Sequence, residues 1–568
     1  MVRIRILLLA ALLLGLLLPG AGVVVAQTGA VAPAINGPDD PAELEAFLDE
    51  LFARDMEEHH IAGAAISVVK DGELVLAKGY GYADLENGIP VDPEQTGFLI
   101  GSVTKLFTWT AVMQLVEQGK LDLDADVNSY LDFRIPDTYP QPITLKHLLT
   151  HTPGFEDTFV EVLAIDSDHL VPEGEWMASH IPARVRPAGE VAAYSNYGTA
   201  LAGYIVARMS GQAYGEYIQE HIFDPLGMAH STAQMPLPPT MRAQASRGYT
   251  YGDGSLQPFR DYLGQLAMQP AGGILASATD MARFMIAHLQ GGRTSDATTA
   301  AAQILKEETV HQMQGTLYTP DARLQGTAYD FFDFSDNGQR TLGHSGEAYP
   351  IQSVLLLLPD QKLGIFVTYN SDGGANLTTQ HFGFQRAFFD HYYPAPAVEP
   401  PEPPADYVER ADRFTGSYRA TRSAYTAFEK TAGLMTAFEV ANAGDGTLLL
   451  STPYGEWRLV EVEPLYFRMV DAPYGFAFRE DDQGRITHLF SNITPMEAYE
   501  KVSWYETAGL HQALALASIL LFLSVIPVAA SGALRNRRPR GDSTPPARGA
   551  GRSGNHPGNS GGGPLYCR

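Results

Sequence analysis

Between Glu506 and Arg535 the chain has no Asp, Glu, Lys or Arg, and "TAGLHQALALASILLFLSVIPVAASGAL" fills that gap. A run this long and apolar has few folds open to it. In hydrocarbon every backbone N–H and C=O must be satisfied within the segment, so a helix of bilayer length is expected. Its flanks are unequal: Trp504 and Tyr505 stand upstream and "RNRRPR" follows downstream. That is an aromatic belt on the outer side and positive charge on the cytoplasmic side. A buried core helix would need no such asymmetry. We therefore expect one transmembrane helix over 508–534 and a cytoplasmic tail over 535–568, rich in Gly, Pro and Ser and disordered.

The opposite end agrees. "MVRIRILLLAALLLGLLLPGAGVVVAQ" places Arg3 and Arg5 before an apolar run and small residues before Gln27, the pattern of a cleaved export signal over 1–26. The rival, a retained anchor, is weakened by the shortness of the run. Both ends put the bulk of the chain outside the cytoplasm. Together they hold nine Arg and one Asp, so the part between them is more acidic than the formal net charge of −26 for the whole chain. Such a surface repels nucleic acid, which is excluded as a partner. The single cysteine, Cys567, lies in the tail, so the exported part has no disulfide and must stand on its hydrophobic cores.

With 568 residues, more than one core is expected. The prolines of "HYYPAPAVEPPEPPADY" (His391 to Tyr407) mark a stiff linker, placed at 396–408. Upstream, 42–395 mixes strand and helix signals. The hairpins near Ala64–Tyr82 and "SVLLLLPDQKLGIFVTYN" (Ser353–Asn370) are its strongest strand signals. One sheet built from both ends of that segment, with a helical insertion between them, accounts for the pattern. Downstream, over 409–502, runs such as "TLLLSTPYG", "EWRLVEV" and "FAFREDDQGRI" alternate with Gly/Asp turns and suggest a small barrel-like antiparallel domain.

Within the large segment two Ser-x-x-Lys sequences occur. Ser67-Val-Val-Lys70 lies in a hairpin signal before the Asp71-Gly72 turn, and residues three apart on a strand face opposite sides. In "GSVTKLFTWTAVMQLVEQGKL" the apolar residues recur at helical spacing, which puts Ser102 and Lys105 one turn apart on one face. A serine needs a base to become a nucleophile, and a lysine serves only when burial or a neighbouring cation keeps it neutral. Partners are therefore required. "RPAGEVAAYSNYGTALAGYIVARMSG" offers Tyr194 and Asn196 just before a helix expected near Gly198. Asn196 could equally cap that helix, with Tyr194 a core ring. "TLGHSGEAYP" offers His344, Ser345 and Gly346, the last permitting close approach of backbone to a ligand.

Taken in order, Ser102-Val-Thr-Lys105, Tyr194-Ser-Asn196 and His344-Ser345-Gly346 resemble the serine β-lactamase and penicillin-binding protein family, in its class C-like branch. "ITLKHLLTHTPGF" (Ile143–Phe155) and "PAGGILASATDMARFM" (Pro270–Met285) resemble it too. The resemblance implies an α/β (α+β) fold: a β-lactamase-like antiparallel sheet flanked by helices with a helical insertion, followed here by the small β-domain and the transmembrane helix. It implies that Ser102 is the acylated nucleophile, Lys105 its base and Tyr194 the proton shuttle, with Asn196, His344, Ser345 and Gly346 binding or orienting substrate. The backbone N–H groups of Ser102 and Glu347 would form the oxyanion hole. His344 departs from the lysine of class C β-lactamases, which favours D-amino-acid peptides or esters over β-lactams.

The implied partner is a small-molecule or peptide substrate, and no cofactor is called for. The rival chemistry is a metal at His147 and His151, four apart in "KHLLTHTPGF". No acidic residue falls between them and no third ligand is evident, so no metal is expected. His59-His60 reads as a surface pair. Outside catalysis, the alternative is an envelope binding protein that keeps the fold as a receptor.

Overall fold

The structure is a computed structural model that describes residues 37–536, apart from 159–161, 165–169, 260–262, 265, 295–301, 374–376, 396–400, 435 and 454. The expected export signal, the tail from 537 with Cys567, and part of the expected linker lie outside the described residues. Residues as far as Ala508 form one compact unit and Gly509–Arg568 a second.

The main sheet has seven antiparallel strands: β1 (Gly63–Lys70), β2 (Glu73–Asp84), β3 (Ile89–Pro90), β4 (Phe332–Asp333), β5 (Leu342–Ala348), β6 (Ile351–Leu358) and β7 (Leu363–Tyr369). Their order is β4-β5-β6-β7-β1-β2-β3, so β7 closes on β1 with Ala64 opposite Tyr369 and Val68 opposite Ile365. The two ends of the segment thus make one sheet. Both faces are covered, and the alternation of side chains along each strand divides them. Ala64, Ile66 and Val68 with Val354, Leu356, Ile365 and Val367 pack under α1 (Pro41–Glu58) through its Leu44, Leu48 and Phe52. Ala65, Val69, Leu355, Leu357 and Phe366 face the helical insertion instead.

The insertion is built around α2 (Thr104–Glu117), α3 (Asn196–Ser210) and α4 (Ala278–Leu289). Every residue of α2 from Thr104 to Leu115 is buried. A helix apolar on all sides must run through the middle of its layer, and α2 does so, against α3 and α4. Ser195 caps α3 by accepting from Gly198 N–H at 3.0 Å. This displaces the expectation that Asn196 caps the helix: the serine hydroxyl reaches the third amide, and Asn196 is released for another partner.

Eight antiparallel strands between Gly416 and Lys501 close into a barrel, the last (Tyr499–Lys501) pairing with the first (Gly416–Ala420) through Tyr418 and Lys501. Its interior is occupied by rings, Phe414, Phe467 and Phe478 lying 4.9–5.2 Å apart. Eight strands give an interior that side chains can fill, as here. In the second unit α5 (Ala508–Asn536) is apolar, with mean hydropathy 2.0 over Ala508–Ile526, and is long enough to cross a membrane. Phe522 and Leu521 on it are exposed.

Candidate active site

Ser102 lies in a single 3-10 turn, Gly101–Val103, that runs directly into α2. Lys105 follows on the first turn of α2 and is fully buried. Its Nζ sits 2.9 Å from Ser102 Oγ, 2.8 Å from Asn196 Oδ1 and 2.6 Å from the Ala271 carbonyl. Two of these three atoms are acceptors only. Nζ donates to all three, which an ammonium does with its three N–H groups, and a neutral amine can keep the bonds to Asn196 and Ala271 while turning its lone pair to the Ser102 hydroxyl. The electrostatics agree, because burial pulls the Lys105 ammonium down to about 7, with Asp330 and Asp157 opposing that fall.

Tyr194 stands beside this pair. Its ring centroid is 4.9 Å from Lys105 Nζ, and its hydroxyl is hydrogen-bonded with Ser102. Burial pushes the phenol well above its ordinary value, so near neutral pH Tyr194 holds its proton. Of the two, Lys105 is the group that can lose its proton near neutral pH.

The two flanking stretches each have a physical task. In "PAGGILASATDMARFM", the Ala271 carbonyl holds Lys105, and the Pro270 carbonyl accepts from Thr108 Oγ1 at 2.6 Å. In "ITLKHLLTHTPGF", His151 is fully buried at φ +54. Ser195 N–H donates to its Nδ1 at 3.2 Å, which places the ring proton on Nε2. That nitrogen lies 2.9 Å from Asp330 Oδ1, angled off the ideal line of a hydrogen bond. The His151 ring packs 4.3 Å from that of Tyr194. His147 is elsewhere, accepting from Thr144 N–H at the start of its own short helix. His147 and His151 do not converge, and among the described residues no group of three His, Cys, Asp or Glu is placed to hold a metal.

Strand β5 passes the serine at close quarters. A Cβ on Gly346 would lie 2.0 Å from the Ile100 carbonyl and 3.2 Å from Ser102 N. One on Gly101, at φ +53, would lie 2.4 Å from Glu347 N. Two glycines therefore bring the amides of Ser102 and Glu347 to the same place. The close approach expected of Gly346 is to the protein's own chain. His344 is 1% exposed, its Nδ1 2.5 Å from the Ser345 carbonyl and its Nε2 without a hydrogen-bond partner among the described residues. Burial draws its pKa down to about 4, so it is neutral near pH 7 and lies beneath the site. Ser345 is half-buried. Asn196 also borders a cavity of about 60 Å³ shared with Asp157, Trp176, His180 and Met268.

The second Ser-x-x-Lys pair is far from this chemistry. Ser67 is buried within β1, and Lys70 at the strand end pairs with Asp39 and Asp71. His60 of the expected surface pair is exposed and stacks on Tyr251 at 3.6 Å.

Sequence reasoning did not find Asp157, Asp330, Arg422 or Glu497. Arg422 comes from the barrel, and its guanidinium lies 4.8 Å from the Tyr194 ring centroid and 2.8 Å from Asp157. No local pattern marks any of the four, since each acquires its role only by tertiary contact.

A sheet closed from both chain ends, with a buried Ser-x-x-Lys helix facing Tyr-x-Asn, is the architecture of the serine hydrolases that recognise penicillin. The chain belongs to the Beta-lactamase family, whose profile matches residues 48–386. It is 35% identical over 242 residues to a Bacillus subtilis protein named as a penicillin-binding protein, PbpX, covering 42% of this chain and 57% of that one. The chain thus spans under two thirds of that relative's length. To penicillin-binding protein 4 of Amycolatopsis lactamdurans it is 30% identical over 345 residues, 58% of this chain and 85% of the relative. The crystal structure of SurE superposes with a TM-score of 0.55 at 25% identity, covering 81% of this chain and 99% of SurE.

Proposed function

We propose that this protein is a membrane-anchored, extracytoplasmic serine hydrolase that acts through an acyl-Ser102 intermediate on amide or peptide bonds at D-configured residues, or on small esters. The observation that carries the reading is the placement of Lys105, fully buried with its Nζ 2.9 Å from Ser102 Oγ and drawn down by that burial to about 7. In the reaction Lys105 takes the Ser102 proton as Oγ bonds to the substrate carbonyl carbon. The resulting oxyanion sits between the amides of Ser102 and Glu347. Collapse breaks the bond to the leaving amine or alcohol, which receives a proton from Lys105 relayed through Tyr194. Water then attacks the acyl-serine and gives its proton to the same base, the acyl–Oγ bond breaks to release the acid, and Ser102 Oγ takes the proton back from Lys105, while Asn196 orients the acyl side.

The substrate ranking rests on charge. His344 is neutral near pH 7 and buried, so it offers no fixed cation for the carboxylate of a β-lactam, and β-lactam hydrolysis ranks last. Two relatives are named as penicillin-binding proteins, and SurE has been solved with D-Leu, which supports placing D-configured amides first. The anchor is α5, with the catalytic part outside and the arginines from Arg535 inside.

The test is covalent labelling. The protein is incubated with a fluorophosphonate and, separately, with a fluorescent penicillin, and any adduct is mapped by mass spectrometry. A label on Ser102 is expected from the fluorophosphonate. Absence of label from both probes sinks the hydrolase reading and leaves the envelope binding protein. Chromogenic cephalosporin, D-Ala-D-Ala peptide and p-nitrophenyl esters then rank the substrates.

A further inference from the structure

The barrel's first strand ends at Ala420, and the loop beyond it is fastened to the hydrolase layer. Thr421 Oγ1 donates to the Ala192 carbonyl at 2.7 Å, and Asp157 N–H donates to the Ser423 carbonyl at 3.1 Å. Glu156 receives Tyr425 N–H at 2.5 Å and Thr426 N–H at 2.8 Å, and Arg186 donates to Tyr425 Oη at 2.7 Å. A second barrel segment pairs Glu497 with Ala193 in a β-bridge, immediately before Tyr194. Two pieces of the barrel therefore frame Tyr194, and one of them carries Arg422.

We infer that Arg422 is a positioning residue for the serine site: the barrel supplies the fixed positive charge beside Tyr194 and Lys105, so the hydrolase layer is completed by the barrel. The guanidinium lies over the Tyr194 ring at 4.8 Å, within cation–π range. Asp157 at 2.8 Å and Glu497 at 3.9 Å hold it there. The inference rests on the reading of Ser102 and Lys105 as the acylating pair.

The charges facing Lys105 and Tyr194 come from several elements. Asp330 and Asp157 favour the ammonium of Lys105, and Arg422 favours the neutral amine. At Tyr194, Asp330 and Asp157 disfavour the phenolate and Arg422 favours it. Lys105 and His151 act on His344, which is itself neutral near pH 7, and Glu347 and Glu497 both feel Arg422. Within this set Arg422 moves Lys105 toward the neutral amine that acylation needs, and it eases the passage of a proton through Tyr194, which stays protonated near neutral pH. A pair of unit charges several ångströms apart in a partly buried site is worth about 1 pH unit in a neighbour's titration.

The experiment is the pH dependence of Ser102 labelling by the fluorophosphonate in the full-length protein, from pH 5 to 9, for the parent and three variants. Arg422→Gln is expected to move the midpoint up by about 1 unit. Arg422→Met, which keeps the aliphatic stem and removes the charge, is expected to move it up by a similar amount. Arg422→Lys keeps a charge and is expected to stay nearer the parent midpoint than Arg422→Gln does. A midpoint unmoved in Arg422→Gln, whatever the loss in rate, overturns the inference and makes the arginine a structural tie only. If Arg422→Gln does not fold, Arg422→Met carries the test, and an unmoved or downward midpoint there overturns it. An unlabelled parent defeats the acylating-pair reading and this inference with it, whereas a labelled parent with unmoved variants defeats this inference alone.

Discussion

At the scale of single residues, burial draws an ordinary lysine toward its neutral form. Lys105 has no access to water, and desolvation penalises its ammonium more than the nearby aspartates can restore. The proposed mechanism requires the neutral amine, so the labelling rate of the parent protein should rise with pH. It should climb about tenfold per unit below a midpoint near 7 and level off above it. A profile falling across pH 6–8 would reverse the assignment of base and acid. Substitution separates the two Ser-x-x-Lys pairs. Lys105→Met should abolish Ser102 labelling, by about 10³-fold or more, with the circular dichroism spectrum kept. Lys70→Ala touches only exposed carboxylates at a strand end and should label at the parent rate. The choice between these pairs was legible in the sequence, because the period of the surrounding apolar residues already places one serine on a strand and the other at a helix start. The resemblance names Lys105 as the base, but its lowered pKa was not legible, since a pKa depends on what the fold buries.

Among the elements, the most demanding junction is where β5 meets the turn that carries Ser102. No side chain fits there: the Cβ of an alanine at Gly346 would stand 2.0 Å from the Ile100 carbonyl, a backbone atom that cannot swing aside. Gly346→Ala must push the strand away from the serine. The expected result is a loss of about 1–3 kcal/mol in denaturant unfolding, together with a fall of about 10²–10³ in labelling rate as the two oxyanion amides separate. A variant that labels at the parent rate would show that this contact does not set the amides. The hairpins of the main sheet and the buried helix could be read from period alone, since each is a local pattern of apolar residues. The junction could not. The spacing of glycines hints at a close approach, but only the fold shows that the second backbone belongs to the residues around Ser102. Arg422 is further from legibility still. It sits in a barrel loop whose composition marks nothing, and closure of the barrel and the β-bridge at Ala193 bring it to the site.

For the whole molecule, the distribution of charge and apolar surface argues for one orientation. The part between the termini is strongly acidic and gains nothing from an anionic lipid surface, so the attachment proposed above would come from hydrocarbon burial. The exposed side chains of α5 supply it, among them Leu520, Leu521, Phe522 and Ile526. A helix of that length buries far more apolar area in a bilayer than a surface contact could offset. The catalytic layer and the barrel form a compact unit as far as Ala508, so attachment and chemistry should separate cleanly. The full-length chain is expected to stay with the membrane pellet through an alkaline carbonate wash and to need detergent for release. A chain stopped after Thr507 should appear in the soluble fraction, with its Ser102 labelling rate and pH midpoint unchanged. Retention of the shortened chain in the pellet would show that an attachment lies elsewhere, and loss of its labelling would show that the apolar helix supports the site as well as tethering it.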